Sequence, residues 1–348
     1  MGQEIAEKKH RKMTEQRETV LVTGAEGFIG SHLVESLLRR GYKVHAMVLY
    51  NSFSSRGWLN EIDCELRRDL ILFFGDIRDT QTIETAIKGC QSIVHLASLI
   101  TIPYSYNAPT SYFDTNVRGT INVLQVARSS GVRRFIQVST SEVYGSAQQI
   151  PISETHPLVG QSPYSASKIG ADQAAYAFFA SFGVPVVIAR PFNTYGPRQS
   201  ARAVIPAIMT QIIAGKKTVE LGDTSTTRDF NYVNDTVEGL IALLESNKGA
   251  GEVFNIGSGY EISINDLVGC ISSVAGVDIA VSVDEERLRP RNSEVQRLCA
   301  DNTKIRNTVD WLPVFTGRDG LCKGLDQTFS WLSSNPNFSS NYAEHYNI

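Results

Sequence analysis

A tyrosine and a lysine four residues apart are the side chains in this sequence best suited to moving a proton. Tyr164 and Lys168 follow Ser162 and Pro163, which predict the N-cap and the first residue of a helix. At this spacing the two side chains share one helix face. A nearby ammonium favours the phenolate and lowers the pKa of a tyrosine. The pair therefore predicts a general base that takes a proton from a hydroxyl group.

A glycine-rich turn predicts the kind of ligand that lies next to this base. Residues 23–30 read Thr-Gly-Ala-Glu-Gly-Phe-Ile-Gly and lie between a predicted strand and a predicted helix. Gly24, Gly27 and Gly30 permit a tight turn whose backbone N–H groups and helix N-terminus favour a pyrophosphate. The spacing is Gly-x-x-Gly-x-x-Gly rather than Gly-x-Gly-x-x-Gly. The turn predicts a dinucleotide site, with Phe28 and Ile29 as further contacts.

The type of dinucleotide stays open at this stage. A carboxylate at the end of the second strand normally binds the adenosine ribose and repels a 2′-phosphate, but Ser36 to Asn60 contains no Asp or Glu. Asn51 and Ser52 stand at that place and could bond a ribose or hold a phosphate. We expect NAD, with NADP not excluded. Asp76 and Ile77, after the third predicted strand, are candidates for contacts with adenine, unless Asp76 only caps the next helix.

The pattern of elements predicts an α/β fold. Short β-branched runs alternate with amphipathic helical patterns, which is typical of a Rossmann-type, doubly wound parallel sheet. The predicted strands are Val20–Val22, Lys43–Val48, Leu70–Phe74, Ser92–Leu96, Phe135–Val138 and Val186–Ala189. We expect a flexible extension at 1–18, a dinucleotide-binding domain at 19–190 that also includes about 230–256, and a smaller, interleaved substrate lobe over most of 191–348.

Composition excludes several other classes. The 348 residues carry a net charge of −3, with 33 basic and 36 acidic side chains, which does not favour nucleic acid as a partner. No apolar run is long enough to span a bilayer, and the N-terminus lacks a signal core, so we expect a cytoplasmic protein with no membrane partner. The five cysteines and six histidines show neither disulfide nor zinc spacing, and no metal is expected.

The chain resembles the extended short-chain dehydrogenase family over nearly its whole length after residue 18. The resemblance rests on the glycine turn, on Tyr-x-x-x-Lys, and on three short motifs: His-Leu-Ala-Ser at 95–98, Asn-Val-Arg-Gly-Thr at 116–120 and Arg-Pro-Phe-Asn at 190–193. It implies further cofactor contacts from Leu96, Ala97, Ser98, Asn116, Ser139 and Pro191, as well as from Tyr164 and Lys168. It also implies that Thr140 joins the hydrogen-bond network of the tyrosine.

Glu142 distinguishes the subfamilies. Removing water across C5 and C6 of a sugar requires a base for the C5 proton, which a C4 ketone acidifies, and Glu142 can be that base. The glucose-type 4,6-dehydratases pair such a glutamate with a preceding aspartate, where this chain has Ser141. The acid that expels the C6 hydroxyl is therefore either Glu142, returning its proton, or a water held by Ser141.

The resemblance extends to a substrate class. Residues 139–202 are similar to the 4,6-dehydratases of legionaminic acid biosynthesis, which implies a UDP- or GDP-linked N-acetylglucosamine and a 4-keto-6-deoxy product. The alternatives are a nucleotide-sugar 4-epimerase or a UDP-glucuronate decarboxylase, although the tyrosine motif lacks the acidic residue usual in the decarboxylases. A second alternative is a cofactor-binding protein without activity.

Cations and amide donors should hold the substrate diphosphate. We expect Asn193, Arg202, Arg228 and Arg291 in this role, with Arg289 as the alternative to Arg291. Helical patterns at 117–128 and 166–182 resemble the pair that builds a four-helix interface in this family, so we expect a homodimer. Ala175, Phe178, Phe179 and Phe182 could instead face the sheet.

Overall fold

The computed structural model describes residues 18–336, so the extension expected at 1–18 lies almost wholly outside the described residues. The strands, in chain order, are β1 (Thr19–Thr23), β2 (Lys43–Leu49), β3 (Leu70–Gly75), β4 (Ser92–His95), β5 (Arg134–Val138), β6 (Val186–Pro191), β7 (Asn193–Tyr195), β8 (Thr218–Leu221), β9 (Thr227–Tyr232), β10 (Val253–Ile256), β11 (Glu261–Ser263) and β12 (Ala280–Val283).

The α-helices alternate with these strands through the first half of the chain. They are α1 (Phe28–Arg39), α2 (Thr80–Ala86), α3 (Ile102–Asn107), α4 (Pro109–Tyr112), α5 (Thr120–Ser130), α6 (Pro163–Phe182), α7 (Val204–Ile213), α8 (Val233–Glu245), α9 (Ile264–Ala275), α10 (Thr303–Val309) and α11 (Gly317–Ser333). A π-helical segment, Phe113–Gly119, leads into α5. Within residues 18–336, none of the helices has the length and apolarity to span a membrane.

Seven strands form one sheet in the order β10-β6-β5-β4-β1-β2-β3, and every neighbouring pair is parallel. The chain turns from one half of the sheet to the other between β1 and β4, where doubly wound sheets place their ligands. Each strand expected from the sequence is a strand of this sheet. The prediction of a Rossmann-type parallel sheet is confirmed.

The second half of the chain adds two smaller sheets. One has the order β11-β9-β7 and the other pairs β12 with β8. The chain also returns to the large sheet, where β10 pairs in parallel with β6, and α8 packs against α1. Elements from the second half of the chain thus pack on the large sheet as well as forming the two smaller sheets.

The core lies on both faces of the large sheet. β1, β4, β5 and β6 are buried along their whole length, as expected for parallel strands covered by helices on both sides. All five cysteines are free. Within the described part of the chain, no cluster of His, Cys, Asp or Glu side chains is arranged to hold a metal ion.

Candidate functional site

One cavity of about 1070 Å³ lies at the carboxyl ends of the sheet strands. Its walls include the turn after β1, the ends of β2 to β6, the start of α6 and residues from the smaller sheets. Glu142 and Tyr164 both line it, so the two side chains open into the same space. A cavity of this size exceeds that of most single-ligand pockets and has room for a dinucleotide and a second ligand.

The glycine turn forms one wall of the cavity. Gly24 has φ +67°, and a Cβ at this position would lie 2.8 Å from the backbone nitrogen of Ala97. A Cβ on Gly30 would lie 2.1 Å from the carbonyl oxygen of Gly24. Gly27 is the N-cap of α1 and offers no side-chain cap, which leaves the first N–H groups of the helix free for a phosphate. The turn thus fits a dinucleotide pyrophosphate.

The proton-transfer pair stands at the first turns of α6. Ser162 caps this helix in a capping box with Ser165, and Pro163 is its first residue, as the sequence predicts. Tyr164 and Lys168 are buried and both line the cavity. The side chain of Thr140 is hydrogen-bonded to Tyr164, in the position expected from the family resemblance.

The pKa values differ from the simple expectation. Burial raises the pKa of Tyr164, and the negative charge of Glu142 adds to this, while the Thr140 hydrogen bond lowers it. The Lys168 Nζ donates to the carbonyl oxygen of Val138 at 2.7 Å, and burial lowers the pKa of this lysine to about 8. The expectation that the ammonium lowers the tyrosine pKa is thus not met by the protein groups alone. Desolvation by burial is the largest contribution to the pKa of Tyr164.

A buried ion pair next to this site was missed by the sequence analysis. Asp172 lies one helical turn beyond Lys168 and pairs with Arg190 at 3.0 Å. The Asp172 Oδ2 also accepts from the Ser139 hydroxyl at 2.9 Å. Arg190 donates to the hydroxyl of Tyr144 at 3.0 Å. Asp172 raises the pKa of Lys168, so the network favours the protonated form of this buried lysine.

Because Lys168 is buried, we expect the protein to become more stable as the pH rises into the alkaline range. Its pKa is about 8 when folded, against an ordinary value of 10.5, so between these values the unfolded chain binds the additional proton. The free energy of unfolding should therefore increase with pH across this range, by about 3 kcal/mol at most from this group. Urea unfolding of the wild type and of Lys168→Met at several pH values measures the effect. A difference between the two proteins that stays constant from pH 8 to 10.5 would contradict it.

Glu142 lies in a short 3₁₀ helix, Ser141–Tyr144, that follows β5. The Thr140 hydroxyl caps this helix by accepting from the Glu142 backbone nitrogen at 3.2 Å. Ser141 and Glu142 are buried and both line the cavity. Glu142 is close enough to Tyr164 to raise its pKa. The structure therefore brings together Thr140, Ser141, Glu142, Tyr164 and Lys168.

The substrate side is rich in arginine. Arg228 is buried and donates to Glu294 at 3.0 Å, and Arg289 approaches the same carboxylate at 3.4 Å. Asn193 lines the cavity with a buried Oδ1 that has no partner in the described part of the chain. Arg202 also lines the cavity. Of the predicted substrate residues, Asn193, Arg202 and Arg228 line the cavity.

Arg291 does not reach it. Its side chain is exposed and does not line the cavity, whereas Arg289 does. The two arginines are two residues apart in an irregular segment, so no helix or strand period indicated which one faces inward. Arg289 takes the place expected for Arg291.

Most predicted cofactor residues line the cavity. These are Gly24, Gly27, Phe28, Ile29, Gly30, Asp76, Ile77, Leu96, Ala97, Ser98, Ser139, Tyr164, Lys168 and Pro191. Asn51 and Ser52 do not. Asn51 binds its own loop through Leu49, Phe53 and Ser55, and Ser52 is exposed.

Asn116 is also outside the cavity wall. Its side chain accepts from the Leu99 nitrogen at 2.8 Å and donates to the Leu99 oxygen and the Ser167 hydroxyl, each at 2.9 Å. It therefore ties the segment after β4 to α6. Asn116 thus positions the part of the cavity wall that Leu96 to Leu99 form.

Comparison with known proteins agrees with this geometry. Residues 21–323 match the family model described as GDP-mannose 4,6 dehydratase. A dTDP-glucose 4,6-dehydratase of Streptomyces griseus is 34% identical over 314 residues, covering 90% of this chain and 93% of the relative.

Solved structures are similar along nearly the whole chain. The dTDP-glucose 4,6-dehydratase DesIV of Streptomyces venezuelae, solved with NAD and TYD bound, superposes with a TM-score of 0.82 at 32% identity, covering 92% of this chain and 98% of that one. A UDP-N-acetylglucosamine 4-epimerase of Methanobrevibacter ruminantium, in complex with UDP-N-acetylmuramic acid, gives 0.81 at 28% identity, covering 92% and 100%.

Proposed function

The chain belongs to the GDP-mannose 4,6 dehydratase family, and from this premise we propose that it removes water from a nucleotide-linked N-acetylglucosamine. The broader activity is that of an NAD-dependent nucleotide-sugar 4,6-dehydratase. The observation that carries the proposal is the buried carboxylate of Glu142 in the same cavity as Tyr164 and Lys168.

Tyr164 and Thr140 act at the C4 hydroxyl of the sugar. The phenolic oxygen takes the hydroxyl proton while the hydrogen-bonded Thr140 side chain favours the phenolate. When bound, NAD would supply the hydride acceptor needed at C4 and the hydride donor needed at C6. The Lys168 ammonium stands one turn away on the same helix face and keeps positive charge near the phenolic oxygen.

Glu142 acts at C5 and C6. Its carboxylate takes the C5 proton, which the C4 ketone has made acidic, and then gives that proton to the C6 hydroxyl, which leaves as water. When a hydride is added at C6, C5 takes up a proton again, and this proton is balanced by the one that Tyr164 removed from the C4 hydroxyl. The sugar loses one water and gains a ketone at C4 and a methyl group at C6, so its oxidation state is unchanged overall. An epimerase needs no base at C5, and the burial of a carboxylate at this place favours the dehydratase.

The diphosphate faces Arg228, Arg202, Arg289 and Asn193. Arg228 and Arg289 share the carboxylate of Glu294, so an arriving diphosphate would meet two arginines that are already held in place. The proposal of N-acetylglucosamine with UDP or GDP rests on the similarity of residues 139–202 to the 4,6-dehydratases of legionaminic acid biosynthesis. Among the relatives named above, the dehydratases are named for dTDP-glucose and the epimerase is named for UDP-N-acetylglucosamine.

The test is direct. The protein is incubated with NAD⁺ and, separately, with UDP-N-acetylglucosamine, GDP-N-acetylglucosamine and dTDP-glucose, and the products are analysed by mass spectrometry. We expect loss of one water from an N-acetylglucosamine donor. A product of unchanged mass would indicate an epimerase, and conversion of dTDP-glucose alone would contradict the proposed sugar.

We also propose that the chain forms a homodimer through α5 and α6. Tyr176 and Phe182 on α6 are about half exposed, at 51% and 48%, and the guanidinium of Arg128 on α5 lies 4.0 Å from the ring centre of Phe182. Ala175 is buried against the sheet core, and Phe178 and Phe179 pack partly against it. Size-exclusion chromatography coupled to light scattering distinguishes a dimer from a monomer.

A further inference from the structure

Glu26 has a carboxylate oxygen that no group within residues 18–336 satisfies. Its Oε1 accepts a hydrogen bond from the backbone nitrogen of Leu49 at 2.8 Å. Its Oε2 is buried and has no partner in the part of the chain that the structure describes. A buried carboxylate oxygen without a donor is unfavourable, so the geometry calls for a donor from a bound molecule.

The carboxylate stands at a defined place in the cofactor half of the cavity. Glu26 belongs to the glycine turn, and Leu49 is the last residue of β2. Both line the cavity together with Val48 and Trp58. In a doubly wound sheet the adenosine ribose lies beside the end of the second strand, where a carboxylate binds its hydroxyls. Residues 36–60 hold no carboxylate, and Glu26 brings one to that place from the turn.

The backbone around Glu26 is fixed from a second side. Its carbonyl oxygen accepts from the Trp58 nitrogen at 3.1 Å. Gly57 has φ +52°, and a Cβ there would lie 2.5 Å from the same oxygen, so the segment after β2 packs closely on the turn. Glu26 is thus held at its main chain and at Oε1, which leaves Oε2 as the oxygen available to a ligand.

The neighbouring charges favour a neutral ribose. Arg78, on the same wall, is paired with Asp76 at 2.6 Å and is therefore already neutralised. A 2′-phosphate beside the Glu26 carboxylate would place two like charges together in a partly desolvated cavity. We propose that Glu26 binds the ribose hydroxyls of NAD through Oε2 and excludes NADP.

Equilibrium binding of NAD⁺ and NADP⁺, measured by isothermal titration calorimetry without any nucleotide sugar, tests this role. The result does not depend on which sugar the protein uses. The wild type should bind NAD⁺ at least about 100-fold more tightly than NADP⁺. Glu26→Gln keeps an acceptor for the Leu49 nitrogen but loses the charge. It should bind NAD⁺ about tenfold more weakly and NADP⁺ more tightly, which brings the ratio to about ten or less.

Glu61→Gln is the matched control, since Glu61 is exposed and lies outside the cavity wall; its ratio should equal that of the wild type. Thermal unfolding without cofactor shows whether Glu26→Gln keeps its fold. Equal affinity of the wild type for both cofactors would overturn the proposal. So would an unchanged ratio in Glu26→Gln, including the case in which both cofactors bind equally more weakly.

Discussion

Replacing Glu142 by glutamine is expected to lower kcat for the loss of water by about 10²–10⁴-fold. Glutamine has nearly the same size, so the buried position after β5 stays filled, but the amide cannot take the C5 proton. Oxidation at C4 should persist, because Tyr164 and Thr140 are unchanged. The near-ultraviolet absorbance of reduced nicotinamide should therefore appear after mixing with substrate, while mass spectrometry finds little dehydrated product.

Two further variants sharpen this result. Glu84→Gln, an exposed position on α2 outside the cavity wall, should react as the wild type does. Ser141→Ala separates the two candidates for the acid at C6: near-normal turnover supports Glu142 returning its own proton, whereas a loss as large as that of Glu142→Gln supports a water held by Ser141. Wild-type rates of dehydration in Glu142→Gln would remove Glu142 from the reaction.

Tyr164→Phe should abolish the first step instead of the second. In the proposed reaction the phenolic oxygen accepts the C4 proton, and its loss should lower kcat by about 10²–10⁴-fold. The ring remains to pack edge-on against Tyr112, so substrate affinity should change little. Stopped-flow absorbance should then detect no reduced nicotinamide, in contrast to Glu142→Gln.

A variant of Thr140 tests the same proton transfer without removing the phenolic oxygen. Since the hydrogen bond from Thr140 lowers the pKa of Tyr164, Thr140→Val should raise this pKa. The ascending limb of the profile of kcat against pH should then move to higher pH. Product formation by Tyr164→Phe at the wild-type rate, or an unmoved limb in Thr140→Val, would show that another group takes the C4 proton.

The sequence predicted six of the seven strands of the large sheet, because buried parallel strands are short runs rich in apolar residues. The expected strand at Lys43–Val48, for example, is β2 at Lys43–Leu49. The shorter strands were not predicted. β7 and β11 have three residues each, too few to show an alternating pattern, and their pairing depends on chain segments far apart in sequence.

The candidate site was predictable where a local motif determines geometry. Ser162 and Pro163 fix the start of α6, and with it the positions of Tyr164 and Lys168. Glu26 was missed because a ribose carboxylate is normally sought on the second strand, and only the folded turn brings this one to the end of β2. Asp172 and Arg190 lie on a helix and a strand whose contact no sequence period reveals.

The pairing of β10 with β6 has a consequence for the synthesis of this protein on the ribosome. β6 is buried in the finished fold, yet its outer edge has no strand beside it until residues 253–256 have been made. During that interval the nascent chain presents an unpaired, apolar edge, which is a site of aberrant pairing between chains. A chaperone that covers this edge would act most usefully while residues 192–252 leave the exit tunnel.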